Sequence, residues 1–194
     1  MSNFYDYTFV KNRKRELVNL LIGSALVWGV GASWLIFLSP TGFLINSILF
    51  LAAFILHEYA HKITAIRNGL YAEFKLQNIW ALITFISIFL PFKLIAPGAT
   101  VIYGYSDENT MGKIALWGPL TNIIMALAIF PFTFISGLSF LWVAIYFNAF
   151  IAIFNLIPFS VLDGKKILSW NKSMWGLAFL ASAALFVASF IHIP

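Results

Sequence analysis

One short stretch of the chain has the residue types and spacing that metal chemistry requires. His57-Glu58-Tyr59-Ala60-His61 matches the pattern H-E-x-x-H. Residues four apart on an α-helix lie on one face, one turn from each other, so both imidazoles can bind the same metal ion. Glu58 follows the first histidine, where its carboxylate can activate a water at the metal as a general base. A chance pattern is the alternative, but the chain has only 3 histidines.

The motif lies in a segment that otherwise has the composition of a membrane helix. The chain has 194 residues, of which 61% are hydrophobic and only 10% are charged, whereas soluble domains have about 25% charged residues. An ionisable side chain at the centre of a membrane helix costs about 2.5 kcal/mol or more, which makes it a functional-site hypothesis by default. The membrane setting therefore strengthens the metal-site hypothesis.

A catalytic zinc usually has three protein ligands and one open position, so the two histidines need a partner. The chain has no cysteine, which excludes a thiolate ligand or a thiol nucleophile. The remaining histidine, His192, lies at the far end of the last apolar run and is a poor candidate. The acidic residues outside the motif are Asp6, Glu16, Glu73, Asp107, Glu108 and Asp163.

Asp163 is the best candidate among these acids. It comes soon after a predicted spanning helix and should lie at the inner end of the protein, toward which His57 and His61 also lie. An Asp-Gly pair by itself is more typical of an ordinary turn. The need for a third ligand reverses that preference, so we predict that the metal is bound by His57, His61 and Asp163.

The elements that must position these residues are mostly membrane helices. Apolar runs of about 20 residues predict five spanning helices, at 17–38, 43–66, 114–135, 138–157 and 174–193. Residues 79–103 are also apolar, but Pro91, Lys93 and Pro97-Gly98 interrupt them. We expect this segment to be a re-entrant helix or strand, 67–78 to be a polar surface segment, and 158–173 to be a loop. The predicted fold is an all-α polytopic membrane protein around an intramembrane metal site.

Basic residues give the orientation. The cluster before the first helix consists of Lys11, Arg13, Lys14 and Arg15, and the positive-inside tendency places it in the cytoplasm. The later lysines, Lys165, Lys166 and Lys172, reach the same side only if 79–103 enters the membrane and returns. The same parity brings Asp163 to the depth of the histidines. We therefore expect an integral, multi-pass protein of a prokaryotic cell membrane with a cytoplasmic N-terminus.

Taken together, these motifs resemble the site-2 protease family of intramembrane zinc metalloproteases. HEYAH is followed further along the chain by N-x-x-P-x-x-x-L-D-G, and the intervening "PGATVI" and "WGPLTN" resemble family signatures. The resemblance implies one Zn²⁺ per chain, held by His57, His61 and Asp163, with Glu58 activating water. It also implies that Asn155 lies near the scissile peptide. From the residues alone, Asn155 reads equally well as a helix-terminal hydrogen-bonding residue.

The resemblance covers roughly residues 43–170, which is the core of a single predicted domain, 1–194. "LDGKK" stands where an Asp-Gly-Gly-Arg ending is more frequent, and there is no PDZ-like insertion or other soluble domain. The implied partners are membrane-spanning protein substrates and the lipid bilayer; the sequence defines no oligomeric state. The net charge of +5 comes from residues that flank apolar segments, so no nucleic-acid partner is expected. Gly118, Pro119 and Asn122 read first as helix packing and local backbone geometry.

Other classes of membrane protein fit the chain less well than a zinc endopeptidase. A zinc transporter needs a pathway of ligands and usually repeated halves, whereas the sequence has one cluster and no repeat. A di-iron oxygenase needs more histidines, and a bis-histidine haem protein needs ligands on facing helices. A catalytically inactive relative stays an alternative, although Glu58 and the three ligands argue against it.

Overall fold

The computed structural model describes residues 2–159 and 162–193, with side chains from Arg13 onward. Its helices are α1 (Ser2–Leu35), α2 (Pro40–Arg67), α3 (Asn78–Ser87), α4 (Glu108–Ile129), α5 (Leu141–Asn155), α6 (Asp163–Trp170) and α7 (Lys172–His192). Its strands are β1 (Tyr71–Leu76) and β2 (Gly98–Tyr103), and a short 3-10 helix covers Phe130–Phe134.

Among the residues that the structure describes, four helical segments are long and apolar enough to cross a membrane. They are Arg13–Leu35, Pro40–Arg67, Glu108–Phe134 and Lys172–His192, and they coincide with four of the five predicted spans. The break between the first two lies where the sequence predicts it. Ser39 accepts a hydrogen bond from the backbone N–H of Gly42, and Pro40 occupies the first turn of α2, where a missing N–H costs nothing.

The fifth predicted span, 138–157, contains α5, which is only 15 residues long. Such a helix extends about 22 Å, less than a hydrocarbon core of about 30 Å. Much of α5 is buried, including Trp142, Ile145, Phe147 and Asn148, because α5 packs between α4, α7 and α2. The count of five spans stays a prediction.

An antiparallel pair of strands flanks residues 77–97, which include most of the predicted re-entrant segment, 79–103. β1 pairs with β2 so that Leu76 lies opposite Gly98, and the backbone N–H of Gln77 donates to the carbonyl of Pro97 at 3.0 Å. Between these points α3 has 10 residues, about 15 Å of helix. Gln77 and Pro97 are therefore neighbours, and the segment between them begins and ends at the same place in the fold.

Two sequence expectations were wrong in this region and near the C-terminus. Residues 71–76 are a strand, not a polar surface segment, so the fold is not purely α. Ala72 and Phe74 are buried while Tyr71, Glu73 and Lys75 are more open, an alternation that is too short to be a strong signal in the sequence. Residues 163–170, expected within a loop, form α6.

The start of α6 packs directly on the end of α5. A Cβ atom at Gly164 would lie 2.1 Å from the carbonyl oxygen of Leu156, far inside normal contact distance. Only glycine allows this approach of two backbones. The Asp-Gly pair therefore begins α6 in close contact with the end of α5. This contact fixes the position of the Asp163 side chain.

Candidate metal centre

The structure brings His57, His61 and Asp163 together. His61 Nε2 lies 3.1 Å from His57 Nε2 and 3.1 Å from Asp163 Oδ2, while His57 Nε2 lies 3.6 Å from that oxygen. All three residues are buried. The two histidines come from one face of α2, as their spacing predicts, and the carboxylate comes from the first turn of α6.

These separations fit a tetrahedral zinc ion. Zinc binds imidazole nitrogens and carboxylate oxygens at about 2.0–2.2 Å, which separates neighbouring ligand atoms by about 3.3–3.6 Å in a tetrahedron. The observed distances of 3.1, 3.1 and 3.6 Å are within about 0.2 Å of that range. Two imidazoles and one carboxylate are also a donor set that zinc prefers and that leaves one position open.

Hydrogen bonds on the far side of each ring aim both Nε2 atoms at this point. His61 Nδ1 lies 2.9 Å from the carbonyl oxygen of Ile114, and His57 Nδ1 lies 2.7 Å from Asn122 Oδ1. A backbone carbonyl only accepts, so Nδ1 of His61 must carry the hydrogen and its Nε2 keeps a free lone pair. Such partners commonly orient metal-binding histidines.

Gly118 of α4 leaves the space into which the two rings point. A Cβ atom there would lie 2.3 Å from His61 Nε2 and 2.7 Å from His57 Nε2. No side chain can occupy this position without displacing the imidazoles. Gly118 therefore does more than allow helices to pack closely, which was its first interpretation from the sequence.

Glu58 is held by β2. Its Oε2 accepts hydrogen bonds of 2.8 Å from both the backbone N–H and the hydroxyl of Thr100. Both bonds end on the same oxygen, which leaves Oε1 without these donors. The carboxylate is partly exposed to the same cavity as the metal-site residues. Thr100 thus fixes the orientation of the glutamate that the motif places beside the first histidine.

Asp163 is a buried carboxylate surrounded by groups that favour its charged form. When no metal is bound, burial by itself raises the pKa of the carboxyl, but the charge of a protonated His61 and the ammonium of Lys166 hold the pKa well below its ordinary value. Lys166 Nζ lies 3.5 Å from Oδ1, the oxygen that does not face the histidines. Asp163 therefore presents Oδ2 as an anionic ligand.

A cavity of about 570 Å³ opens beside the three residues. Much of its wall is apolar, and β2 contributes Gly98 through Ile102. Asn155 also lines the cavity, but its Nδ2 donates to the carbonyl of Ile151 at 3.0 Å, the hydrogen bond of an ordinary helix-terminal asparagine. An amide nitrogen has two hydrogens, so one remains for another acceptor.

The sequence reading missed three residues that touch the centre. Thr100, Gly118 and Asn122 lie within the strings "PGATVI" and "WGPLTN" that carry the family resemblance, yet no role at the metal was predicted for them. For α4 a signal was available: Ile114, Gly118 and Asn122 are spaced by four, as His57 and His61 are, and residues at this spacing share a helix face.

No protein-family model matches the chain, and no solved structure matches it either. A curated protein of Methanocaldococcus jannaschii, named "putative zinc metalloprotease", is 36% identical to it over 142 residues, which cover 70% of this chain and 74% of that protein. The chain therefore belongs to a zinc metalloprotease family. The buried group of two histidines and one aspartate is consistent with that assignment.

Proposed function

We propose that the protein is an intramembrane zinc endopeptidase of the site-2 protease type, which hydrolyses peptide bonds of membrane-spanning proteins. The observation that carries the proposal is the convergence of His57, His61 and Asp163 beside Glu58 in one cavity. His57 lies ten residues before the end of α2, about 15 Å along the helix axis. If α2 crosses the membrane, this distance from the helix end supports a centre within the hydrocarbon layer.

Each residue has a role in this reaction. His57, His61 and Asp163 would hold one Zn²⁺ through Nε2, Nε2 and Oδ2. When bound, the ion would supply the Lewis acidity needed to activate water and polarise the scissile carbonyl. Glu58 Oε1 takes the proton of the attacking water and passes it to the leaving amine. Thr100 donates two hydrogen bonds to the other carboxylate oxygen, Oε2. Oε2 therefore fixes the orientation of the carboxylate, while Oε1 is available to accept the proton.

The remaining hydrogen of the Asn155 amide is suited to the substrate. Asn155 lines the same cavity, where a donor can stabilise the negative charge that develops on the carbonyl oxygen during hydrolysis. We assign Asn155 this part in binding or polarising the scissile peptide.

A helical peptide bond is shielded by its own hydrogen bonds, so the substrate must unwind locally before it is cleaved. Within the described residues, β1 is the one strand that pairs with β2, and residues of β2 line the cavity. An extended substrate segment that adds to β2 would recover the backbone hydrogen bonds lost on unwinding. The bilayer and the spanning segment of the substrate then act together as the recognition partners.

A zinc transporter is less well supported. Transport requires successive ligand sites along a pathway. Within the described residues, the group of His57, His61 and Asp163 is the one set of three His, Cys, Asp or Glu side chains close enough to hold a metal. A single deep centre with a glutamate held beside it fits hydrolysis better.

Metal content and cleavage test the proposal together. Elemental analysis of the purified full chain should find one zinc, and Asp163→Ala should weaken its retention markedly. Glu58→Gln should retain zinc yet fail to cleave single-span model proteins that the wild type cleaves, because the carboxamide keeps the size and loses the base. A matched control is Glu108→Gln, an exposed acid at the start of α4, which should behave like the wild type.

Two results would contradict these assignments separately. Unchanged zinc affinity in Asp163→Ala would show that another group is the third ligand. Cleavage by Glu58→Gln within a few-fold of the wild type would exclude Glu58 as the base. Loss of cleavage on addition of a chelator, with recovery on addition of Zn²⁺, is expected for the wild type.

A further inference from the structure

Two fully buried asparagines connect the metal centre to α5. Asn122 of α4 and Asn148 of α5 are both 0% exposed, and the Nδ2 of Asn122 lies 3.2 Å from Asn148 Oδ1. Buried polar side chains in a membrane protein are costly and usually have a function. Asparagines inside helices are also poor helix formers. Neither residue is a proposed metal ligand, general base or substrate-binding group, so their burial calls for another explanation.

Two backbone carbonyls determine how both amides are oriented. Asn122 Nδ2 lies 3.0 Å from the carbonyl oxygen of Ala53, and Asn148 Nδ2 lies 2.9 Å from that of Ala144. A carbonyl oxygen only accepts, so the NH₂ group of each asparagine must face it. Asn122 Oδ1 is then left facing His57, and Asn148 Oδ1 is left facing the Asn122 amide.

This orientation settles the tautomer of His57. Asn122 Oδ1 lies 2.7 Å from His57 Nδ1, and an amide oxygen can only accept. The hydrogen of the neutral ring must therefore be on Nδ1, and Nε2 carries the lone pair. With Nδ1 protonated, His57 offers its Nε2 to the same point as His61, whose Nδ1 is fixed by a backbone carbonyl in the same manner.

We propose that Asn122 and Asn148 form a positioning relay for the metal centre. Asn122 holds the His57 ring in its metal-binding tautomer, and Asn148 fixes the orientation of the Asn122 amide. The inference rests on the proposed metal site and extends it to two residues outside the ligand set. It connects three helices: α2 carries the ligand, α4 carries its hydrogen-bond acceptor, and α5 supports that acceptor.

Zinc affinity and the state of the histidine rings test the relay without any substrate. The full chain in detergent is titrated with Zn²⁺ against a competing chelator. Asn122→Leu, which removes the acceptor at similar size, should weaken zinc binding by about 10- to 100-fold. Asn148→Leu should weaken it less, by about three- to tenfold, because the carbonyl of Ala53 still holds Asn122.

Asn46 provides the matched control. It is also an asparagine of 0% exposure, it lies on α2, and its Nδ2 donates to the carbonyls of Gly42 and Phe140. It precedes His57 by eleven residues, about 16 Å along the helix. Asn46→Leu should lower the stability of the fold and leave zinc affinity within about twofold of the wild type.

Nitrogen NMR of the metal-free protein, labelled in its 3 histidines, reports the tautomer directly. His57 should carry its hydrogen on Nδ1 in the wild type and become a mixture of tautomers in Asn122→Leu. His192, whose Nδ1 lies 2.8 Å from the carbonyl of Ala188, serves as an internal reference.

The outcomes separate the relay from the metal site. If Asn122→Leu binds zinc as the wild type does and His57 keeps its tautomer, the relay is overturned while the metal site stands. If Asn122→Leu does not fold, Asn148→Leu decides, and unchanged zinc affinity with an unchanged His57 tautomer in that variant overturns the relay. A wild-type protein that binds no zinc in the same titration would overturn the metal site itself.

Discussion

Replacing Gly118 by alanine should remove zinc binding while leaving the helices in place. The new Cβ would lie 2.3 Å from His61 Nε2 and 2.7 Å from His57 Nε2. Ordinary carbon contacts are at about 3.5–4.0 Å, so each ring would have to move by about 1 Å. The Cβ would also stand nearly as close to the two nitrogens as a bound zinc ion does, at about 2.0–2.1 Å.

The imidazole rings cannot move away from the new Cβ without losing hydrogen bonds, because their partners lie on α4. His61 is bonded to Ile114 at 2.9 Å and His57 to Asn122 at 2.7 Å, and both partners lie four residues from Gly118 on the same helix. A shift of about 1 Å breaks these hydrogen bonds, which alone costs 10- to 100-fold in metal affinity. We therefore expect Gly118→Ala to weaken zinc binding by at least about 100-fold, or about 2.8 kcal/mol.

Two other glycines separate this effect from general damage. Gly112→Ala, also in α4, would bring a Cβ within 2.3 Å of the Trp170 side chain. It should destabilise the fold by about 1–3 kcal/mol through overpacking and retain zinc. Gly176→Ala in α7 meets nothing within 4 Å and should be neutral or slightly stabilising. Chelator competition and thermal unfolding measure both quantities, and zinc affinity within threefold of the wild type in Gly118→Ala would refute the reasoning.

Two further predictions concern the base and the topology. Thr100→Val removes the hydroxyl bond to Glu58 and keeps the backbone bond, so cleavage should fall about tenfold at unchanged zinc content; an unchanged rate would mean that the hydroxyl does not orient the base. Single cysteines at Ser106 and Ser169 should be labelled from the cytoplasm and one at Thr41 from outside, which is readable because the chain has no native cysteine. Labelling of Ser106 and Ser169 from opposite faces would contradict the proposed topology.

Most of the helical architecture follows from the sequence because lipid and the helical period leave few alternatives. Long apolar runs bounded by Pro40 or by charged residues can form little else in a membrane. The geometry of the motif on α2 also follows from the sequence, since residues four apart on a helix lie on the same face. The proximity of Asp163 to the histidines was also predicted, although only by counting how often the chain crosses the membrane.

What the sequence did not reveal depends on contacts between distant elements. β1 is six residues long, and its strand conformation depends on β2, which lies beyond α3 in the chain. The role of Thr100 follows from the position of β2 beside α2. Asn122 has the same local sequence whether it packs a helix or accepts a hydrogen bond from His57. Local periodicity contains no information about such partners, whereas the folded structure specifies each of them.

The contacts between α2 and α4 bear on the direction in which the chain runs. His57 meets Asn122, and His61 meets Ile114, so the residue number rises along α2 as it falls along α4. The two helices are therefore antiparallel, and the chain leaves α2 and enters α4 at the same end of the bundle. A full crossing between them would make them parallel and would pair His57 with the earlier residue of α4. The hydrogen bonds that orient the two imidazoles thus exclude a single crossing by the intervening segment, which the predicted re-entrant topology also requires, and they do so independently of the position of Asp163.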